Sequence, residues 1–439
     1  MKEAARTSIL SRGWENLWKY STGVFDFDGV EAVHGLIDGI SFDLNESYGL
    51  VLDKWINFAI VRRVAMLELD LSTFNGFDRA LKNSIDSYTS NYTFPSRPLF
   101  SPSFASLTSL ILKSVNVTEE VLSYFLCNCP LLEDLSVRGS GTLVNLKVVG
   151  PTLKLKYLEI NECYELKHLE IQAPNIVSFT YHGTKISMPF KNVPRLSEMS
   201  LGKHYCAFLL LELCQLSLHH SQLQTNSIMN FEFCQLLLCL SRLETLRLDL
   251  EYLFLIQRDF SLNLPHDCLP LSNLKHLEMK VYSLHDDSIL CLTSLIEASP
   301  RLHRLSIQII FEWDTYMMST GLLPYCPKKA RKSTQCPYHN LKVVEFVGFA
   351  GHQADGELAR CLLWNAVSLE KMIVDPRPRY LGRLETGIEV ARKRAKELET
   401  ELPLGAKLVC RVVVGVVLRY RVYMHEAGQK LFCNDIIKF

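Results

Sequence analysis

The sequence predicts an α/β solenoid, with parallel strands stacked side by side and helices or second strands on the back face. Two observations predict it. An apolar-x-x-apolar-x-apolar phrase recurs thirteen times along the 439 residues. The intervals between copies are of two kinds, one long enough to hold a helix and one with room only for a second short strand.

Each copy dictates its local structure. The last two apolar positions lie two residues apart, so in a strand both side chains point to one face. The first sits in the incoming turn and tucks under the same face. One such strand cannot bury that face alone, so neighbours must stack. The copies begin at Val64, Leu107, Leu132, Leu143, Leu155, Leu166, Ile176, Leu196, Leu243, Leu274, Leu302, Leu341 and Leu369. Typical copies read Leu107-Leu110-Leu112, Leu155-Leu158-Ile160 and Ile176-Phe179-Tyr181.

The intervals say what closes each turn. Leu107 to Leu132 is 25 residues, and Leu274 to Leu302 and Leu341 to Leu369 are 28 each. Each interval holds a helical pattern. Thr118 is the expected cap of the first, with Val121, Leu122, Phe125 and Leu126 apolar. Asp286 or Asp287 is expected to cap the second, with Ile289, Leu292, Leu295 and Ile296 apolar. Asp355 is expected to cap the third, with Leu358, Leu362, Leu363 and Ala366 apolar. Pro130 and Pro300 stop the first two. Between Leu132 and Ile176 the spacing falls to 10–12 residues, which predicts a front and a back strand in each rung. Cys163 stands where regular leucine-rich repeats place the Asn or Cys that bonds the turn.

The pattern breaks between residues 202 and 241, read as an irregular rung or insertion. Arg392 to Glu401 mixes charge signs at helical spacing and predicts a charged helix. Val416 to Val422 and Lys430 to Ile437 predict a hairpin around Glu426-Ala427-Gly428.

Composition narrows function. The AVILMFWYC set makes up 48% and DEKR 21%, enough for a full core. Lys plus Arg and Asp plus Glu are both 47, so no net field gathers nucleic acid or a charged surface. Met1 to Thr7 has no apolar signal core, and the C-terminal apolar run is broken by Arg411, so a soluble chain that binds no nucleic acid and no membrane is expected. The fourteen cysteines contain no CxxC pair and read as reduced, packed thiols. Cys326, Cys336 and His339 lack a fourth metal ligand. Gly348, Gly351 and Gly356 lack the spacing and lysine of a phosphate loop, and no GxSxG, HExxH or kinase signature is present. His219-His220 and Lys328 to Lys332 read as solvated loops. No catalytic, cofactor-binding or metal-binding residue is therefore assigned, no cofactor is expected, and the chain is read as a non-enzyme.

Four segments carry a family resemblance. Arg6 to Trp18 resembles the last third of a plant F-box. Trp55-Ile56-x-Phe58-Ala59 followed by Val64-x-x-Leu67-x-Leu69 resembles the first repeat of plant F-box proteins with leucine-rich repeats. Cys129-Pro130-Leu131-Leu132-Glu133-Asp134-Leu135 and Ala173-Pro174-Asn175-Ile176 resemble phrases of that family's middle rungs. Leu341 to Phe346 with Gly348, Phe349 and Gly351, then Glu357-Leu358-Ala359 and Asn365 to Met372, resembles its FBD module. The resemblance implies a partial F-box remnant at 1–25, a leucine-rich-repeat solenoid at 50–325, an FBD-like module continuing the solenoid at 326–409, and an atypical tail at 410–439.

In that family the F-box grips a Skp-type adaptor, and the repeats and FBD module present a target protein to a ubiquitin ligase. The receptor does no chemistry; it raises the target's effective concentration near the charged ubiquitin carrier. The resemblance implies that role here, in the cytoplasm and/or nucleus, with Ile9, Leu10, Trp14, Leu17 and Trp18 as the adaptor-binding residues. The usual N-terminal part of an F-box has no counterpart before Arg6, so the resemblance is to an N-terminally truncated F-box. The alternative is a protein-binding scaffold or decoy that no longer joins the ligase. The target-binding candidates come from positions expected to face outward: Glu133, Asp134, Ser136, Tyr157, Glu159 and Tyr181.

Overall fold

Every repeat copy carries a strand, and stacking follows from what each strand buries. The computed structural model describes residues 25–28, 49, 52–53, 56–57, 59, 63–72, 92–95, 105–206, 209–210, 231–250, 271–284, 289–312, 337–376, 385–411, 419–424 and 430–435. The chain divides into two units, Met1–Tyr282 with Cys291–Leu302, and Ser283–Leu290 with His303–Phe439.

The first unit holds β1 (Phe25–Asp28), β2 (Met66–Asp70), β3 (Ser109–Lys113), β4 (Asp134–Arg138), β5 (Asn145–Val149) and β6 (Tyr157–Asn161). It continues with β7 (His168–Gln172), β8 (Ser178–His182), β9 (Glu198–Gly202), β10 (Thr245–Leu250) and β11 (His276–Leu284). Its front sheet runs β1-β2-β3-β4-β6-β8-β9-β10-β11, parallel and in register throughout. Register stacks Leu67, Leu110, Leu135, Leu158, Phe179, Met199, Leu246 and Leu277 in one buried column. Two residues on, Leu69, Leu112, Val137, Ile160, Tyr181, Leu201, Leu248 and Met279 form a second. A one-residue slip would turn both columns to solvent, so the register is strongly specified.

A repeated backbone device ties rung to rung. The carbonyl of Thr108 accepts the N–H groups of Glu133 and Asp134, that of Glu133 accepts those of Lys156 and Tyr157, and that of Lys156 accepts those of Val177 and Ser178. The same pattern continues from Val177 through Ser197 and Glu244. The corner after several strands is left-handed: Ser114, Gly139, Glu162 and Lys203 have φ of 53°, 68°, 55° and 61°. The Ser114, Gly139 and Glu162 N–H groups reach the carbonyls of Arg138, Asn161 and His182 on the next rung. Only Gly139 escapes the side-chain penalty of that conformation.

The back face matches the two kinds of interval. Helix α1 (Glu119–Asn128) fills the 25-residue one and buries Val121, Leu122, Phe125 and Leu126, as expected. Thr118 occupies the N-cap position without making a side-chain cap hydrogen bond, and Cys129 and Pro130 end the helix. In the closely spaced region β5 and β7 pair as the expected second strands. The bridges His168–Ser187 and Ile171–Phe190 extend this back layer. Cys163 is buried with its Sγ directed to the Val137 carbonyl of the preceding rung, 3.9 Å away. Burial pushes its thiol up to about 12, and Cys129 likewise to about 12, as packed thiols require. Residues 202–241 end in helix α2 (Phe231–Leu240), yet β9 and β10 pair directly with Glu198 opposite Thr245. Asp286 and Asp287 lie outside the described residues; the helix beyond them is a short α3 (Thr293–Glu297) behind a 3-10 turn at Leu290–Leu292. Ile289, Leu292, Leu295 and Ile296 are buried.

The second unit stacks β12 (Arg304–Glu312), β13 (Val343–Val347), β14 (Lys371–Asp375) and β15 (Lys407–Cys410), again parallel and in register. Helix α4 (Gln353–Asn365) lies between β13 and β14 in the chain, and the charged helix α5 (Glu385–Glu397) precedes β15. Asp355 is not the cap of α4; His352 holds that position. Asp355 instead lies inside the first turn, fully buried, where its Oδ2 accepts the N–H groups of Ala350 and Gly351 at 2.7 and 2.9 Å. The preceding loop turns back over the helix start, so the carboxylate serves the loop rather than the helix. β16 (Arg419–Met424) and β17 (Lys430–Asp435) form the expected antiparallel pair.

Two measurements check this packing. Leu158→Ala, in the middle of a buried column, should lower unfolding free energy by about 2–5 kcal/mol, against less than about 1 kcal/mol for Lys156→Ala at the exposed rim, read by urea denaturation. Asp355→Ala leaves two buried N–H groups without their carboxylate and should cost about 2–4 kcal/mol in the same assay.

Candidate functional site

Alternation in each front strand leaves three positions facing away from the core. Register turns these into three rows. The first runs Met66, Ser109, Asp134, Tyr157, Ser178, Glu198, Thr245 and His276. The middle row runs Glu68, Ile111, Ser136, Glu159, Thr180, Ser200, Arg247 and Glu278. The third runs Asp70, Lys113, Arg138, Asn161, His182, Gly202, Asp249 and Lys280.

Charges at both ends of this face are matched across strands. Lys113 Nζ lies 2.7 Å from Glu68 and 3.2 Å from Asp70. Arg247 reaches Glu278 at 3.2 Å and Glu198 at 3.4 Å, and Lys280 reaches Asp249 at 3.0 Å. Between them, on β4, β6, β8 and β9, hydroxyls and amides take over. Ser109 donates to Asp134 at 3.1 Å and Ser136 to Glu159 at 2.9 Å. Asn161 donates its amide to Glu159. His182 Nε2 stands 3.0 Å from Ser200 Oγ. Burial pulls the His182 imidazole below its ordinary range, with Asp249 opposing, so the ring is neutral at physiological pH. That ring lies over Gly202, where an added Cβ would meet it at 2.8 Å.

Five of the six target-binding candidates belong to this face or its rim. Glu133 precedes β4 and pairs with Lys156 at 2.8 Å. Asp134 is half-buried, Ser136 is buried beside Glu159, and Tyr157 is 52% exposed. Tyr181 does not face outward. It fills the second inward column, its hydroxyl donating to the Thr184 carbonyl at 2.9 Å and its ring packed edge-on against Tyr205. Its phrase has Phe179 and Tyr181 at the two core positions, so period two already assigns it inward. Asn161, Ser109, Ser200 and His182 are outward residues that the candidate set omits; the same count of two from Tyr157 and Glu159 reaches Asn161.

In the second unit the middle outward residue Glu345 is buried and accepts from Arg304 at 2.6 Å and Arg411 at 2.5 Å. Arg411 also stands 3.7 Å from the buried Asp375. This cluster is internally matched. The adaptor-binding candidates Ile9, Leu10, Trp14, Leu17 and Trp18 lie outside the described residues, as do Cys326, Cys336, His219, His220 and Lys328 to Lys332. Among the described residues no group of three or more His, Cys, Asp or Glu could hold a metal ion. No described helix is long and apolar enough to cross a membrane.

Asp134 provides a test of the central face. Burial, and then the neighbouring Glu159 carboxylate, push its carboxyl above the ordinary range, against the pull of the Ser109 hydrogen bond. A carboxyl raised on folding favours the protonated native state, so stability is lost as pH rises from the ordinary value of 3.8 through the raised one and is level above it. Asp134→Asn should therefore raise the Tm at pH 7. The gain should vanish when both proteins are melted below the ordinary carboxyl value of 3.8.

Comparison with known proteins agrees with this architecture. Three similar proteins are from Arabidopsis thaliana. F-box/LRR-repeat protein 13 is 22% identical over 243 residues, covering 48% of this chain and 49% of the relative. F-box/LRR-repeat protein At3g03360 is 25% identical over 225 residues, covering 45% and 47%. F-box/FBD/LRR-repeat protein At4g26340 is 23% identical over 416 residues, covering 87% and 89%. The chain thus spans about half the length of the first two and most of the third. The model of the family described as "At1g61320/AtMIF1, LRR domain" matches residues 39–211 and 194–417. The chain belongs to that leucine-rich-repeat family, among relatives named as plant F-box/LRR-repeat and F-box/FBD/LRR-repeat proteins.

Proposed function

We propose that this chain is a non-catalytic substrate-receptor subunit of an SCF-type (Skp–cullin–F-box) ubiquitin ligase. One observation carries the reading: the relative covered over most of its length joins F-box, FBD and LRR in its name, and segments of this chain resemble each of those three parts. The F-box-like segment at 1–25 grips a Skp-type adaptor through Ile9, Leu10, Trp14, Leu17 and Trp18. The repeats at 50–325 and the FBD-like module at 326–409 hold the target protein. The outward rows suit that task, since they are locked in register by the core yet take no part in it. Holding a target near a ubiquitin carrier requires position and no bond-making by the receptor. The protein then acts in the cytoplasm and/or nucleus.

Recombinant full chain should co-precipitate a plant Skp-type adaptor at micromolar concentration. Trp14→Ala with Trp18→Ala should abolish capture while leaving the thermal melt unchanged. No capture by the wild-type chain would replace this reading with that of a scaffold or decoy outside the ligase.

A further inference from the structure

We draw no further inference here: the strongest candidate, the outward face of β14 and β15 in the second unit, where Lys371 stands opposite Lys407 and Val409 is 36% exposed, carries nothing because nothing in the structure shows what covers it.

Discussion

Two inward side chains, two residues apart, held in parallel register from strand to strand: the rest of the structure depends on this constraint. Most strands are only about five residues long, too short to be stable alone. A strand's two buried positions gain their hydrophobic contribution only when the next rung supplies the neighbouring pair, as Leu135 and Val137 supply Leu158 and Ile160. The shared carbonyls at Thr108, Glu133, Lys156 and Val177 then set the spacing between rungs through backbone groups, independent of side-chain identity. What varies freely is how the chain returns. Helix α1, the strands β5 and β7, and the segment ending in α2 are three different returns behind one uninterrupted ladder. Lengthening such a connection costs entropy only logarithmically, so the ladder tolerates it.

That constraint also explains what could be read from the residues and what could not. All thirteen strand-bearing copies, the back strands of the closely spaced region and the apolar faces of α1, α3 and α4 follow from periodicity, which records burial directly. The left-handed corners at Ser114, Glu162 and Lys203 carry no glycine to announce them. They are imposed by the next rung, whose carbonyls receive the Ser114 and Glu162 N–H groups. The strands β1 and β15 fall outside the repeat phrase; β15 completes one inward column with Leu408 beside Met372, a pairing visible only once the sheet exists. Asp355 shows the same limit. Its position near a helix start predicts a cap, but the loop at Ala350 and Gly351 folds back and takes the carboxylate.

For the candidate site, alternation settles which side a residue faces and nothing about its partners. Asp134, Ser136, Tyr157 and Glu159 are legible as outward, and Tyr181 is inward by the same count. That Glu133 is neutralised by Lys156 while Asp134 is not depends on which long side chains meet across strands. Asn161 is harder still, because an asparagine on an outward position reads as solvated. Its burial arises from neighbours on β4 and β8, the rungs carrying Arg138 and His182 in its row.

The separation of the two faces has a functional consequence. Because alternate positions point to opposite sides, outward residues can change without disturbing the inward columns, and the front face is free to be shaped by binding. A face shaped only for stability would match its carboxylates, as the outer rungs do with Lys113, Arg247 and Lys280, and as Glu345 is matched by two arginines in the second unit. The middle rungs differ: Asp134 and Glu159, on neighbouring strands, have no cation partner among the described residues and are held by hydroxyls and an amide. A half-buried carboxylate held only by neutral donors stabilises the chain less than an ion-paired one, and the raised Asp134 carboxyl is the sign of that cost. The same alternation that makes the fold legible therefore gathers the outward residues on one row-by-row surface, and among the described residues of that surface the exceptions to charge matching are Asp134 on β4 and Glu159 on β6.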